Sequence, residues 1–282
     1  MYKIDPAILD KLVSNALQED LGAGDITTRA IVPSELEASG EFVAKEEMVL
    51  AGWPVAVRTF QWLSANTSSQ CFFKEGDTVP KGSILGRMEG PAFSLLSGER
   101  VALNFLQRLS GVATLTRKFV SAVSGFKAVI LDTRKTTPGL RLVEKYAVRV
   151  GGGMNHRWGL ADGVLIKENH ITVAGSLAEA VSRARVGADH LKKIEVEVTT
   201  LDEVAQALEA GTDVILLDNM AINEIKKAVA LVDGKVPLEV SGGVTLENVR
   251  ELASTGVDYI SVGALTHSPK AMDISLELKL LL

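Results

Sequence analysis

The chain has 282 residues, 46% of them hydrophobic, with a formal net charge of −5 and a mean hydropathy of +0.19. This acidic balance argues against a nucleic-acid-binding protein, which usually has a basic face, and no apolar run approaches the roughly 20 residues needed to span a bilayer. The first residues have no apolar stretch of the secretory type, so we expect a cytoplasmic protein that binds neither nucleic acid nor membrane. Cys71 is the only cysteine, which excludes an internal disulfide, and because two phenylalanines follow it we expect a buried thiol.

The first part of the chain differs in pattern from the rest. A segment with helical spacing stops at a Gly-Ala-Gly-Asp turn at 22–25, and short strand-like segments and a long helical stretch follow it. These elements predict an N-terminal domain, residues 1–110, on which the C-terminal tail, 268–282, can pack. The predicted helices are 6–20 and 99–121, and the predicted strands lie near 38–50, 70–74 and 83–88.

From residue 126 onward, short apolar runs alternate with amphipathic helical segments. Because each helix returns the chain to the start of the next strand, this order predicts parallel pairing. The runs define a second domain, residues 111–267, and fit either an open doubly wound sheet or a barrel. The predicted strands are 128–131, 163–166, 194–198, 214–217, 238–240 and 259–262, and the helices are 176–187, 201–210, 221–232 and 245–254.

Almost every predicted strand of this second domain ends in polar or glycine residues. In parallel α/β folds the C-terminal strand ends converge on one face, where binding sites form. A single such residue is more often a loop residue or a helix cap, but repetition at successive strands predicts a shared site. The residues are Asp132, Thr133, Arg134, Lys135, Lys167, Glu195, Glu197, Asp218, Asn219, Ser241, Gly242, Gly243 and Gly263.

The charges in this region indicate an anionic ligand. Clustered cations repel one another unless an anion with several charges neutralises them, and arginine forks suit carboxylate or phosphate. Glu197 and Asp218 suit sugar hydroxyls, or a hard cation such as Mg²⁺ that keeps several waters and binds phosphate oxygens. The basic residues are Arg134, Lys135, His156, Arg157 and Lys167.

Two glycine turns predict a phosphate site. Ser241-Gly242-Gly243 lies between a predicted strand and a predicted helix, so its backbone N–H groups can receive a phosphate with help from the helix dipole. Val262-Gly263-Ala264 ends the neighbouring strand in the same way. Gly151-Gly152-Gly153 lacks this strand–glycine–helix order, and we interpret it as a loop that places His156 and Arg157.

Several segments together resemble the quinolinate phosphoribosyltransferase family over most of the chain. The two specific segments are Asp132–Gly139 and Asn155–Arg157. The resemblance implies an α/β fold with an N-terminal α/β sandwich and an incomplete α/β barrel of fewer than eight strands. It also implies a homodimer, or a higher homo-oligomer, in which Arg100 reaches the site of the other subunit. Supporting segments are Glu19–Gly22, Gly24–Thr28, Glu99–Asn104, Leu109–Thr114, Ile166–His170, Glu195–Val198, Leu217–Asn219 and Ser241–Gly243.

The resemblance further implies a reaction. The phosphoribosyl group of phosphoribosyl pyrophosphate (PRPP) passes to quinolinate with decarboxylation, giving nicotinate mononucleotide, pyrophosphate and CO₂ for de novo NAD biosynthesis. Lys135, Glu197 and Asp218 are expected to act in catalysis, with Mg²⁺ held by Glu197 and Asp218 directly or through water. Expected quinolinate ligands are Arg100, Arg134, His156, Arg157 and Lys167. Expected PRPP ligands are Thr133, Lys135, Glu197, Asp218, Ser241, Gly242, Gly243, Val262, Gly263 and Ala264.

Alternatives stay open from the residues alone. The chain could be another phosphate-binding barrel enzyme, or a transferase for the monocarboxylate nicotinate. It could also be a family member recruited to another pathway. The number of cations favours a dicarboxylate substrate over a monocarboxylate. Another alternative is a non-enzymatic carrier, because 75–82 resembles the turn of biotinyl and lipoyl modules. The flanked hairpin-tip lysine of those modules is missing after Leu85, so we interpret the segment as a structural turn. Whether His267 contacts phosphate is also left open.

Overall fold

The computed structural model describes residues 4–281, and the chain divides into two compact units. The first unit contains the residues up to Arg117, together with Thr136–Gly152 and the chain from Leu265 onward. The second contains Lys118–Lys135 and Gly153–Ala264. The expected boundary between residues 110 and 111 and the division between Arg117 and Lys118 both lie inside one continuous helix of 31 residues. Across residues 4–281, no helix combines the length and the apolar character needed to cross a membrane.

Strands of the first unit form a four-stranded antiparallel sheet. Its order is β12-β1-β5-β3, and a separate pair joins β2 to β4. The C-terminal tail supplies the edge strand β12, which pairs with β1 from Ala38↔Leu280 to Ala44↔Ile274. The strands are β1 (Glu37–Ala44), β2 (Met48–Val49), β3 (Ser68–Cys71), β4 (Thr78–Val79), β5 (Ile84–Pro91) and β12 (Ile274–Leu280).

Helices pack against this sheet through an apolar core. Phe42 on β1 lies edge-to-face against Trp53, with ring centroids 5.3 Å apart, and against Phe60 at 6.1 Å, a geometry that aromatic pairs prefer. These contacts confirm the α/β sandwich. The helices are α1 (Pro6–Leu21), α2 (Ile26–Ile31), α3 (Trp53–Leu63), α4 (Ala92–Ala122), which runs on into the second unit, α5 (Arg141–Val150), and α11 (Ala264–His267), which begins at the last residue of the second unit.

The second unit is built on a six-stranded parallel sheet in the order β6-β11-β10-β9-β8-β7. All six strands were predicted, and the count confirms an incomplete α/β barrel with fewer than eight strands. The strands are β6 (Val129–Leu131), β7 (Val164–Ile166), β8 (Ile194–Val198), β9 (Val214–Asp218), β10 (Leu238–Ser241) and β11 (Tyr259–Ser261). The helices are α6 (Glu168–Ala174), α7 (Leu177–Gly187), α8 (Leu201–Glu209), α9 (Ile222–Val232) and α10 (Val249–Ser254).

Strand register aligns polar side chains across this sheet. Leu216 on β9 is paired with Glu197 on one side and Glu239 on the other, and Asp218 is paired with Ser241 two residues further on. Since alternate residues of a strand point to the same face, these four polar residues project to one side of the sheet near its C-terminal edge.

Two local expectations, on Cys71 and on the first strand, were wrong. Cys71 is exposed, because it ends the edge strand β3, all of whose residues are exposed. The strand expected at 38–50 is two strands, β1 and β2. The Gly151–Gly153 segment is a turn that leads to His156 and Arg157, and an added Cβ at Gly151 would lie 2.6 Å from the Ala113 carbonyl oxygen of α4; glycine there allows close packing.

Candidate active site

The C-terminal strand ends of the second unit enclose a cavity of about 480 Å³, which we call the strand-end cavity. Parallel strands bring their C-terminal ends to the same edge, so residues far apart in sequence line one space. The cavity is lined by Thr133, Arg134, Lys135, His156, Arg157, Leu165, Lys167, Glu197, Leu216, Asp218, Asn219, Glu239, Ser241, Gly242, Gly243 and Ser261.

All four predicted fixed cations of the second unit line this cavity. Arg134 and Lys135 follow β6 and are exposed, Lys167 follows β7, and Arg157 is half-buried. Burial, followed by the positive charge of Arg134, lowers the pKa of Arg157. A guanidinium keeps its proton in proteins, so this environment makes an anion in the cavity favourable.

A buried carboxylate holds the segment that carries His156 and Arg157. Met154 pairs with Leu131, which places this segment beside β6. The fully buried Asp132 accepts hydrogen bonds from the Asn155 side chain at 2.6 Å and from the His156 backbone N–H at 2.9 Å. Both bonds involve a charged acceptor and are therefore strong ones. These bonds explain why the two specific sequence segments contain Asp132 and Asn155: the two side chains hold the segments together.

Two acids face the cations. The Lys167 ammonium donates to Glu197 on β8, and Asp218 on β9 accepts from the Asn219 side chain at 2.8 Å. Two carboxylates on neighbouring strands, open to a cavity, match the oxygen donors that Mg²⁺ takes from protein when it keeps waters and phosphate oxygens as its other ligands. The donor set therefore fits this ion.

A second pair of acids lies close to His156. The His156 Nε2 atom is 3.0 Å from Glu195 and 3.8 Å from Glu239, and both glutamates are buried. Burial, followed by the negative charge of Glu195, raises the pKa of Glu239 to about 8. The raised pKa favours the neutral form of Glu239, because a buried carboxyl without a charged partner is costly.

The glycine turn after β10 is shaped by Asn219. Gly242 has φ +92°, and an added Cβ there would overlap the Asn219 side chain; Asn219 itself has φ +53° and donates its N–H to the Ser241 carbonyl at 3.0 Å. Positive φ values in non-glycine residues concentrate at functional sites. This close approach explains why glycine is required at 242.

The helix expected directly after this turn was placed too early. Asn248 accepts a hydrogen bond from the Thr245 N–H at 2.9 Å and donates to the Gly243 carbonyl at 2.9 Å, so an intervening turn occupies the segment. The helix α10 begins only at Val249. Any phosphate recognition by the glycine turn would therefore depend on local N–H groups and not on the dipole of this short helix.

Four residues expected to bind substrate do not line the strand-end cavity, and neither does His267, whose role was left open. Val262 is buried, and its N–H donates to the Leu131 carbonyl within the sheet at 2.9 Å; Gly263 and Ala264 follow it, and on β11 the lining ends at Ser261. Arg100 belongs to the first unit, where it is exposed on α4. His267 is exposed, with Nδ1 2.6 Å from the Ser268 hydroxyl.

Sequence analysis missed several lining residues. Glu239 was not predicted because it lies inside the short apolar run Leu238–Val240 and not after it. A signal existed, since an acid within a buried run is costly and usually has a functional or paired environment. Asn219 was seen next to Asp218 but given no role. The missed lining residues are Leu165, Leu216, Glu239 and Ser261; Glu195, which was expected at the site, lies beside the cavity.

Fold and cavity together define a class of protein: an α/β enzyme with an incomplete barrel whose C-terminal strand ends surround a cavity lined by basic residues. Comparisons with known proteins narrow this class. The family model described as quinolinate phosphoribosyl transferase, N-terminal domain, matches residues 25–110, and its C-terminal counterpart matches residues 112–277. The chain belongs to the quinolinate phosphoribosyltransferase family, whose members are pentosyltransferases.

Full-length relatives agree with the domain matches. The chain is 46% identical over 272 residues to the probable nicotinate-nucleotide pyrophosphorylase (carboxylating) of Bacillus subtilis, covering 96% of this chain and 94% of that protein. It is similar to the crystal structure of NadC from Streptococcus pyogenes, with a TM-score of 0.96, 42% identity and full coverage of both chains. The nicotinate-nucleotide pyrophosphorylase structure from Francisella tularensis gives a TM-score of 0.93 at 44% identity, with 98% of both chains covered.

Proposed function

We propose that quinolinate and PRPP react in the strand-end cavity. Family membership makes the chain a quinolinate phosphoribosyltransferase (decarboxylating), which transfers the phosphoribosyl group of PRPP to quinolinate and releases pyrophosphate and CO₂, in de novo NAD synthesis. One observation supports the location above all others. Four fixed cations and two carboxylates from separate strands surround one space, and the substrates together bring two carboxylates, a phosphate and a pyrophosphate to the same space.

Quinolinate would bind among the arginines and Lys167. Its two adjacent carboxylates match the paired donors of Arg134 and Arg157, whose mutual repulsion a dianion removes. Lys167, which donates to Glu197, would turn partly to the substrate. The His156 ring adjoins Arg157, and its part in binding is taken up below.

PRPP would bind on the other side of the cavity. Thr133 and Lys135 lie after β6, and the Ser241–Gly243 turn after β10 would receive the 5′-phosphate. In our proposal Gly263 and Ala264 border this phosphate from the next strand end, with Val262 as their support in the sheet. Holding the ring nitrogen near the ribose C1 atom would make a bimolecular step effectively unimolecular, worth up to roughly 7–11 kcal/mol.

The acids and Lys135 would act on the charges that develop. As the bond from C1 to pyrophosphate breaks, positive charge grows on the ribose, and Glu197 and Asp218 would hold its hydroxyls and stabilise that charge. Lys135 would neutralise the departing pyrophosphate. Mg²⁺, held by Glu197 and Asp218 directly or through water, would supply further charge neutralisation on the pyrophosphate oxygens.

Decarboxylation needs no further protein group in this proposal. Once the nitrogen–carbon bond has formed, the pyridine nitrogen is positively charged. The carbon–carbon bond to the neighbouring carboxylate can then break, its electron pair staying on the ring carbon beside that charge, and a proton adds to this carbon. CO₂ leaves, and nicotinate mononucleotide remains. The chemistry accordingly requires no organic cofactor and no nucleophilic side chain.

The proposal includes a cytoplasmic homodimer and is also compatible with a higher homo-oligomer. Arg100 of the partner subunit would complete the cationic side of the cavity, which is supported by the exposure of Arg100 on α4 in the single chain. The single cysteine supports the location, since folding then needs no oxidising compartment.

The direct test is product formation by the purified protein with quinolinate, PRPP and Mg²⁺. We expect pyrophosphate and CO₂ to appear in equal amounts, and expect neither when any one of the three is omitted. Pyrophosphate released without CO₂ would contradict the decarboxylating reaction, and product formed at full rate after chelation of Mg²⁺ would contradict the metal assignment.

A further inference from the structure

The His156 ring is engaged at both of its nitrogen atoms by the protein itself. Its Nδ1 accepts a hydrogen bond from the Arg157 backbone N–H at 2.8 Å, and its Nε2 lies 3.0 Å from a Glu195 carboxylate oxygen and 3.8 Å from Glu239. The sequence had suggested this histidine as a titratable cation for the anionic ligand. The observed contacts indicate which ring nitrogen carries the proton, and therefore whether His156 can act as that cation.

The contact at Nδ1 decides the tautomer. A backbone N–H can only donate, so the Nδ1 atom that receives it must present a lone pair and carry no proton. The single ring proton then lies on Nε2, where it faces the Glu195 carboxylate. A cationic ring would carry protons on both nitrogens and would oppose its Nδ1–H to the Arg157 N–H.

The same contact argues against a metal ion at this position. His156, Glu195 and Glu239 offer ligand atoms within 4.8 Å of one another, the one such three-residue group among residues 4–281. A metal bound at Nε2 needs a lone pair there, with the proton on Nδ1 given to an acceptor. At Nδ1 the ring meets a donor instead. A hydrogen bond from Nε2–H to Glu195 satisfies both atoms.

We infer that His156 is a positioning residue, a neutral Nε2–H imidazole that ties the Arg157 backbone to Glu195 on β8 and so fixes Arg157 at the substrate carboxylates. The effect on quinolinate binding rests on the proposed function, whereas the hydrogen bonds of His156 do not depend on it. Arg157 is secured on its other side by the Gly163 carbonyl, which accepts from Nη1 at 3.0 Å. Carboxylate neutralisation then falls to the arginines and lysines alone, because His156 brings no charge.

The charge state can be measured without any activity. Protein labelled with ¹⁵N-histidine would be studied at pH 7 by long-range ¹⁵N–¹H correlation, with His156 assigned by comparison with His156→Gln. We expect the pattern of a neutral ring protonated at Nε2. An imidazolium pattern, held by the two glutamates, or a ring protonated at Nδ1 would overturn the inference. Either result would leave the proposed reaction standing, and a failed product assay would leave this spectrum unaffected.

A matched pair of variants tests the positioning role. Glu195→Gln keeps an acceptor for the His156 proton, whereas Glu195→Leu has similar volume and no acceptor. We expect Glu195→Leu to lose on the order of tenfold to a hundredfold in kcat/KM for quinolinate, with the KM for PRPP little changed, because misplacement of a binding group has effects of this size. Glu195→Gln should recover most of this loss. Equal loss in both variants, with thermal unfolding midpoints like wild type, would contradict the positioning role.

Discussion

At the scale of single residues, Arg157 gives the strongest support for the proposal that the cavity binds an anion. Its guanidinium is half-buried, its pKa is lowered by that burial and by Arg134, and its Nε atom is buried without a hydrogen-bond partner among residues 4–281. A buried donor that makes no bond carries a desolvation penalty of about 1–3 kcal/mol. A carboxylate that bridges the arginines would remove both the repulsion and this penalty. Both features favour an anion beside Arg157.

Removal of one cation at a time tests this account. Lys135→Ala and Arg157→Ala should each lower kcat/KM by orders of magnitude, on the order of a hundredfold or more, because one preorganised charge is typically worth that much in a site from which water is excluded. Steady-state product formation measures the loss. Circular dichroism should show an unchanged fold, and Lys226→Ala, at an exposed position on α9, should keep the wild-type rate. Retention of near-wild-type rates by either cavity variant would remove that residue from the site.

At the scale of elements, the parallel strands were the most predictable part. Each is a short apolar run bounded by polar or glycine residues. In a parallel sheet the binding site lies at the C-terminal edge, so its residues are expected directly after these runs. The sequence therefore predicts Arg134, Lys167 and Asp218 at one edge without any knowledge of distances. The β8 and β9 ranges were predicted to within one residue.

Elements that depend on distant partners were not predictable in this way. The helix α5 is rich in charged residues and yet buries Glu144 and Lys145, so its composition does not indicate a core element; Glu144 is stabilised there by Arg108 at 2.8 Å. The strand β12 pairs with β1, more than two hundred residues earlier in the chain. Glu239 belongs to the same category, since its neighbours His156 and Glu195 come from other elements.

The turn between β10 and α10 allows a test at this scale. Gly242→Ala should lower the free energy of unfolding by about 1–3 kcal/mol, because alanine is strained at φ +92° and its Cβ would displace Asn219. The displaced turn should also raise the KM for PRPP more than that for quinolinate. Chemical denaturation and steady-state kinetics measure the two effects.

Gly234→Ala is the matched control for this variant. Gly234 also has positive φ, +69°, but an added Cβ there meets nothing within 4 Å. It should cost stability through backbone strain alone and leave both KM values unchanged. If Gly242→Ala matched this control in stability and kinetics, the close contact between Gly242 and the Asn219 side chain would have no effect on PRPP binding.

At the scale of the whole molecule, the proposed homodimer assigns Arg100 and Lys135 to different chains of one site. Arg100→Ala and Lys135→Ala should each be inactive as pure proteins. Mixing the two after dissociation and reassociation should restore about one quarter of wild-type activity, because half of the dimers are mixed and each has one intact site. Recovered activity in the mixture measures this. No recovery, with mixed dimers demonstrated by mass spectrometry, would place Arg100 in its own chain's site or outside any site.

The central claim is that a cavity with this many cations is built for a dianion. Parallel measurement of kcat/KM with quinolinate and with nicotinate, under the same PRPP and Mg²⁺ concentrations, tests it most directly. One carboxylate leaves part of the cationic cluster unneutralised, so we predict that quinolinate is preferred by at least about a hundredfold. Comparable values for the two acids would contradict the account, because the cluster would then have no need of a second carboxylate.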